Sequence, residues 1–98
     1  MPKYVLLGNW TDQGARNARD TVKRARAARE AFASMGVNAR EWFFTLGQYD
    51  VVLTVDAPDD ETLTRAAVAL AMQGNLRTTT LRGFSEKEME DVLSGLPG

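Results

Sequence analysis

Apolar positions along this chain keep two different rhythms. Between residues 42 and 55, the runs Trp42-Phe43-Phe44 and Val51-Val52-Leu53-Thr54-Val55 flank a short interruption that holds Gly47. Aromatic and β-branched runs around such a break predict a β-hairpin, with one strand from about Val37 to Leu46 and the next from Tyr49 to Asp56. Successive side chains leave a strand on opposite faces. Trp42, Phe44 and Leu46 therefore share one face while Phe43 takes the other, and Val51, Leu53 and Val55 stand opposite Val52. Both faces of this hairpin need cover. Lys3 to Trp10 reads as an earlier strand of the same kind, with Val5 and Leu7 on one side and Tyr4, Leu6, Gly8 and Trp10 on the other.

Elsewhere the rhythm is helical. Val22, Ala25, Ala28, Phe32 and Met35 recur at intervals of three and four, predicting a helix that starts near Gly14 or Asp20 and ends at Met35, with Gly36 as its left-handed stop. Ala57-Pro58-Asp59-Asp60-Glu61 opens a second helix, since proline and acidic residues suit a first turn. Its stripe is Leu63, Ala66, Ala67 and Leu70, and Gly74-Asn75 stops it. Leu76 to Gly83, with its threonine run, is the fourth strand. Ser85 and Glu88 then form a capping box, Phe84 and Met89 a hydrophobic staple, and Met89, Val92, Leu93 and Leu96 the stripe of a third helix.

The order β-α-β-β-α-β-α predicts an α+β, ferredoxin-like domain: a four-stranded antiparallel sheet with both long helices on one face. At 98 residues the chain is one domain. An apolar sheet face left in water marks an interface. A second subunit would cover it, and so would the third helix in part.

Composition removes many chemistries. Without histidine or cysteine there is no Ser-His-Asp triad, no thiolate nucleophile, and no histidine or sulfur metal site. Asp59-Asp60-Glu61 lacks the spacing of a calcium loop, so neither metal nor cofactor is expected. No apolar run is long enough to span a membrane, the N-terminus lacks a secretory signal, and a cytoplasmic location is the default.

Net charge is −1 but uneven, +4 over residues 1–49 and −5 over residues 50–98. Arg16, Arg19, Lys23 and Arg26 follow helical spacing as a basic stripe. It reads as a solvated face, a phosphate-binding surface, or the complement of another subunit's acidic surface. The near-neutral total and the lack of stacking motifs argue against nucleic acid as a partner.

At Gly47-Gln48-Tyr49-Asp50 the chain resembles the GYD-domain family. The likeness extends through Asn9-Trp10-Thr11-Asp12-Gln13-Gly14, Arg16-Asn17, Asp20, Ala57-Pro58-Asp59-Asp60-Glu61-Thr62, and Gly74-Asn75-Leu76-Arg77-Thr78-Thr79-Thr80-Leu81. A proline expected near Thr21-Val22 is missing. The resemblance implies a dimeric α/β-barrel arrangement and names no reaction. More distantly, the chain is similar to the effector-binding domain of Lrp/AsnC-type regulators, where small molecules bind between subunits near the corresponding hairpin. The DNA-binding segment of those regulators has no counterpart in this sequence.

Seven residues are candidate ligand contacts. Asp50 is an acceptor or base beside a pocket with Tyr49 orienting a ligand, or else both shape the turn. Arg77 and Thr79 share one parity on the last strand, and an arginine on a buried sheet face needs Asp50, a partner's carboxylate or an anionic ligand opposite it. Trp10, Arg16 and Asn17 rim a cavity mouth, as apolar wall and carboxylate clamp, or fill core and solvent positions. The expected function is a small-molecule-binding or oligomerising module with its site near the Gly47–Asp50 hairpin. Its partners would be a second copy and a small anionic or aromatic molecule. The alternative is a cofactor-independent monooxygenase or isomerase, an inference from fold alone.

Overall fold

The computed structural model describes residues 1–98. Its central strand pair is β1 (Lys3–Trp10) and β3 (Val51–Asp56), antiparallel with Leu6 opposite Leu53. β2 (Asn38–Phe44) flanks β3, and β4 (Leu76–Gly83) flanks β1, giving the order β2-β3-β1-β4. This is the expected ferredoxin-like α+β sheet, and every pairing in it is antiparallel.

Two long helices, α2 (Thr21–Ser34) and α3 (Asp60–Met72), lie over one sheet face. Beneath them Tyr4 and Leu6 of β1 and Val51, Leu53 and Val55 of β3 are buried against Phe32, Leu63 and Ala66. The even-numbered residues of β1 and the odd-numbered residues of β3 form this core because antiparallel partners share a face. α3 begins where Asp59 accepts the Thr62 N–H at 2.8 Å. Both long helices are followed by glycines with positive φ, Gly36 (83°) and Gly74 (82°). Val22 departs from its expected place in the core stripe. It is exposed.

The first long helix starts at Thr21, at the later of its two expected positions, and Gly14 lies in a separate short helix before it. A short α1 (Asp12–Arg16) is capped by Thr11, a 3₁₀ turn covers Ala18–Asp20, and α2 follows. The break at Asn17 divides the basic stripe, so Arg16 and Arg19 do not continue the face of Lys23 and Arg26. All four residues lie at the surface.

The hairpin is looser than its sequence suggests. β2 ends at Phe44, β3 starts at Val51, and Leu46 is fully exposed in the loop between them. Tyr49 and Asp50 lie outside the regular strands but stay tied to both sides: the Asp50 carbonyl takes the Thr45 N–H at 2.9 Å, and its own N–H donates to the Gly8 carbonyl of β1 at 2.9 Å. A bulge between Ala39 and Glu41 leaves Arg40 outside the register, where its Nε meets the buried Asp56 carboxylate at 2.6 Å.

α4 (Glu86–Ser94) has the expected capping box but stands away from the sheet, in a molecule extending 54 Å along its longest axis. It therefore leaves the second sheet face open. No helix is long and apolar enough to cross a membrane.

Candidate functional site

Three distant segments meet at one end of the sheet. The Asp50 carboxylate accepts the Trp10 backbone N–H at 2.9 Å, closing the end of β1 where the ladder stops. One residue on, the Thr11 N–H donates to the Asn75 carbonyl at 3.1 Å, and the Thr11 hydroxyl donates to the Gly74 carbonyl. Gln13 Nε2 donates to the Gln73 carbonyl at 3.1 Å and to Asn75 Oδ1 at 3.0 Å. Gly14 lies so close that a β-carbon there would fall 2.1 Å from the Asn75 carbonyl oxygen. The motif residues around Trp10, Asp50 and Asn75 thus form one clasp, made largely through backbone groups.

The clasp separates the predicted site residues. Trp10 points to the helix side, in register with Leu76. Arg77 and Thr79 occupy the opposite, outer face, opposite Asn9 and Leu7 of β1. Arg77 is exposed rather than buried and forms no ion pair with Asp50 or any other carboxylate. Its exposure removes the need for one, because water solvates the guanidinium. Tyr49 is half-buried, its carbonyl taking the Thr45 hydroxyl. Arg16 and Asn17 are exposed, and Asn17 contributes through its carbonyl, which accepts Arg24 Nη1 at 2.6 Å.

Beside the clasp, between α2, α3 and the sheet, lies a cavity of about 350 Å³. Its walls include Trp10, Phe32, Met35, Trp42, Leu70 and Leu76. The room comes from α2 itself, whose Ala25, Ala28 and Ala31 face the space with methyl groups only. Polar groups in the lining are Thr21, Arg24, Gln73 and Asn75, with no carboxylate among them. The Arg29 guanidinium lies 5.4 Å from the Trp42 ring centroid, a cation–π contact. The Trp42 indole N–H is sealed in without an acceptor, an internal cost of about 1–3 kcal/mol for a buried donor.

Arg24, Trp42 and Asn75 escape a sequence reading as cavity residues. The alanines of α2 are the available signal, because a helix that covers a sheet with methyl groups leaves space. Asp56 escapes too. It is nearly sealed from solvent, with Lys3 at 3.7 Å and Arg40 at 2.6 Å, and reads in sequence as an ordinary strand end.

The outer sheet face is uncovered and carries an apolar band edged by polar residues. Its middle row is Phe43, Val52, Leu7 and Thr79, and the next is Glu41, Thr54, Val5 and Leu81. Phe43 is 55% exposed and Leu81 47%. Met89, Val92 and Leu93 of α4 are exposed as well. On the helix side of β4, Arg82 spans Phe84 (4.6 Å) and Tyr4 (5.7 Å), with Glu88 at 3.9 Å.

Residues 4–93 match the family described as GYD domain. A Thermus thermophilus protein named glutamine synthetase and cystathionine beta-lyase binding protein is 34% identical over 85 residues, 86% of this chain and 90% of that protein. The crystal structure of TTHA0845 from the same organism superposes with a TM-score of 0.56 at 26% identity, covering 87% of this chain and 95% of that one. The crystal structure of MtbAldR superposes with a TM-score of 0.66 at 19% identity, covering 87% of this chain but only 52% of that longer one, and shares the fold.

Proposed function

This chain belongs to the GYD-domain family, and from that premise we propose that it is a binding module without a reaction of its own. It assembles with a second copy through the outer face of its sheet, in the manner of a dimeric α/β barrel. The supporting observation is the uncovered row of Phe43, Val52 and Leu7, with Val5 and Leu81 beside it, on a sheet whose long helices all lie on the other side. Apolar surface gains about 25 cal/mol for each Å² removed from water. An uncovered apolar band with a polar rim on a small domain is an interface signature, and a two-fold pairing closes it against itself.

The hairpin end of that face carries Asn9 and the unpaired Arg77, beside the Tyr49-Asp50 turn, with Thr79 one row further in. On this reading Arg77 receives the anionic group of a small molecule held between subunits. The Thermus relative's name describes binding to two enzymes. Carried to this chain, the name supports a partner-binding role over a catalytic one. The monooxygenase or isomerase alternative draws no support from Asp50, whose carboxylate is engaged by the Trp10 N–H.

Native mass spectrometry and sedimentation velocity of the wild type and of Phe43→Asp test the assembly. The expected result is a dimer or larger closed oligomer for the wild type, and a monomer with unchanged far-ultraviolet circular dichroism for the variant. A wild type that stays monomeric at tens of micromolar overturns the proposal.

A further inference from the structure

We propose that the cavity between α2, α3 and the sheet is a second ligand site, for an apolar monocarboxylate such as a medium-chain acyl or aryl acid. The walls are apolar, with aromatic rings of Trp10, Phe32 and Trp42 on the sheet and helix sides. At about 350 Å³ the volume lies at the small end of the range for small-molecule sites. Walls of this kind offer water few partners, so an apolar body gains by entering.

The charge in the lining selects the head group. Arg24 is its one ionisable residue, and no aspartate or glutamate accompanies it. Its guanidinium is tethered rather than free: Nη1 donates to the Asn17 carbonyl at 2.6 Å, while Nη2 makes long contacts with the Gly14 carbonyl (3.4 Å) and Thr21 Oγ1 (3.5 Å). Arg24 forms no ion pair with any carboxylate of the chain. A guanidinium held in place with donors to spare favours a carboxylate, because little side-chain freedom remains to be lost on binding. Arg29 adds a second positive charge on the same helix, beside Trp42. A cationic apolar molecule would meet repulsion, and a neutral one would leave Arg24 without a counter-charge. This site lies on the opposite sheet face from the assembly surface and does not rest on it.

The chain has two tryptophans, and both line the cavity, so its own fluorescence reports occupancy. Titration of the full chain with dodecanoate, dodecan-1-ol and dodecyltrimethylammonium, each below its micellar concentration, is expected to give a saturable change in tryptophan emission. Dodecanoate binds tightest and the ammonium weakest. Arg24→Met is expected to weaken dodecanoate about tenfold, the loss of one charge-assisted bond, while leaving dodecan-1-ol unchanged. Ala28→Phe fills the space and abolishes both; if it fails to fold, the Arg24→Met comparison decides. Phe43→Asp binds dodecanoate as the wild type does. No saturable change, or equal affinity for the carboxylate and the ammonium, overturns the proposal. So does an emission shift that follows protein concentration without ligand and is lost in Leu93→Asp, which would assign the cavity to α4 of a second copy.

Discussion

The Asp50 carboxylate lies 2.9 Å from the Trp10 backbone nitrogen, forty residues away in sequence. This bond ends β1 where its partner strand has turned off. The motif's aspartate is thereby a cap for another strand, and its acceptor oxygen is the property that matters. Asp50→Asn keeps an acceptor on the same stem and is expected to unfold within about 0.5 kcal/mol of the wild type. Asp50→Ala leaves the Trp10 N–H unpaired and is expected to lose about 1–3 kcal/mol in urea denaturation. Equal stability of all three proteins would contradict the cap.

Gly14 is required by its neighbour rather than by its own backbone. It has no positive φ, yet a β-carbon would sit 2.1 Å from the Asn75 carbonyl oxygen. That oxygen is held by the Thr11 N–H, so it cannot withdraw without breaking the clasp. Gly14→Ala is expected to cost about 1–3 kcal/mol, the usual range for overpacking, seen as a lower midpoint in urea. Gly36→Ala meets no atom within 4 Å but forces a methyl group onto φ of 83°. Its cost is expected to be about 1 kcal/mol.

The strand order and the core are readable because alternation and stripe leave marks in sequence. Tyr4, Leu6, Leu53 and Phe32 lie where period and parity put them. The loop between β2 and β3 departs from the expected tight hairpin because its end is tied to a third strand as well: the Asp50 carbonyl takes the local Thr45 N–H while the Asp50 N–H donates to the distant Gly8 carbonyl, which alternation alone does not reveal. Arg77 departs from its expected burial because parity reports a face but not whether that face is covered. The cavity escapes for a further reason: it depends on what α2 omits. Ala25, Ala28 and Ala31 read as good helix formers, and only their placement over Trp42 and Phe44 turns small size into space.

Alkaline pH is expected to weaken the fold through Tyr4. Its hydroxyl donates to the Asp60 carboxylate, and that bond, with burial as the smaller cause, holds the phenol above its ordinary value. The proton is therefore bound more tightly in the folded state. The contribution is complete below the unfolded phenol's value of about 10 and is lost as pH rises through the higher folded value. Tyr4→Phe removes the bond, so the difference in urea midpoint between the two proteins is expected to shrink steadily above a pH of about 10. A difference that grows with alkalinity would reverse the assignment.

α4 is the element with least tertiary support, and its stability must come from its own ends. The Ser85 hydroxyl accepts the Glu88 N–H at 3.1 Å, and the Glu88 carboxylate takes the Ser85 N–H at 2.9 Å. The second bond, with help from the Ser85 hydroxyl and the charge of Arg82, holds Glu88 below the usual carboxylate range. With the folded value depressed, the contribution is present above an ordinary glutamate's value of about 4.3 and is lost as pH falls through the depressed one. Protection of the residue 86–94 amides, taken relative to the intrinsic exchange rate at each pH, is therefore expected to fall in acid before that of the sheet. Ser85→Ala is expected to quicken their exchange a few-fold at neutral pH, with the melting temperature of the body unchanged. Isolated helices this short are marginal in water, so protection of α4 that survives Ser85→Ala is expected to come from packing against another molecule. Such protection should then rise with protein concentration and vanish in Phe43→Asp, tying the exposed stripe of Met89, Val92 and Leu93 to the assembly. Protection that is unaffected by both substitutions and by dilution would place the support for α4 within the single chain and remove it from the interface.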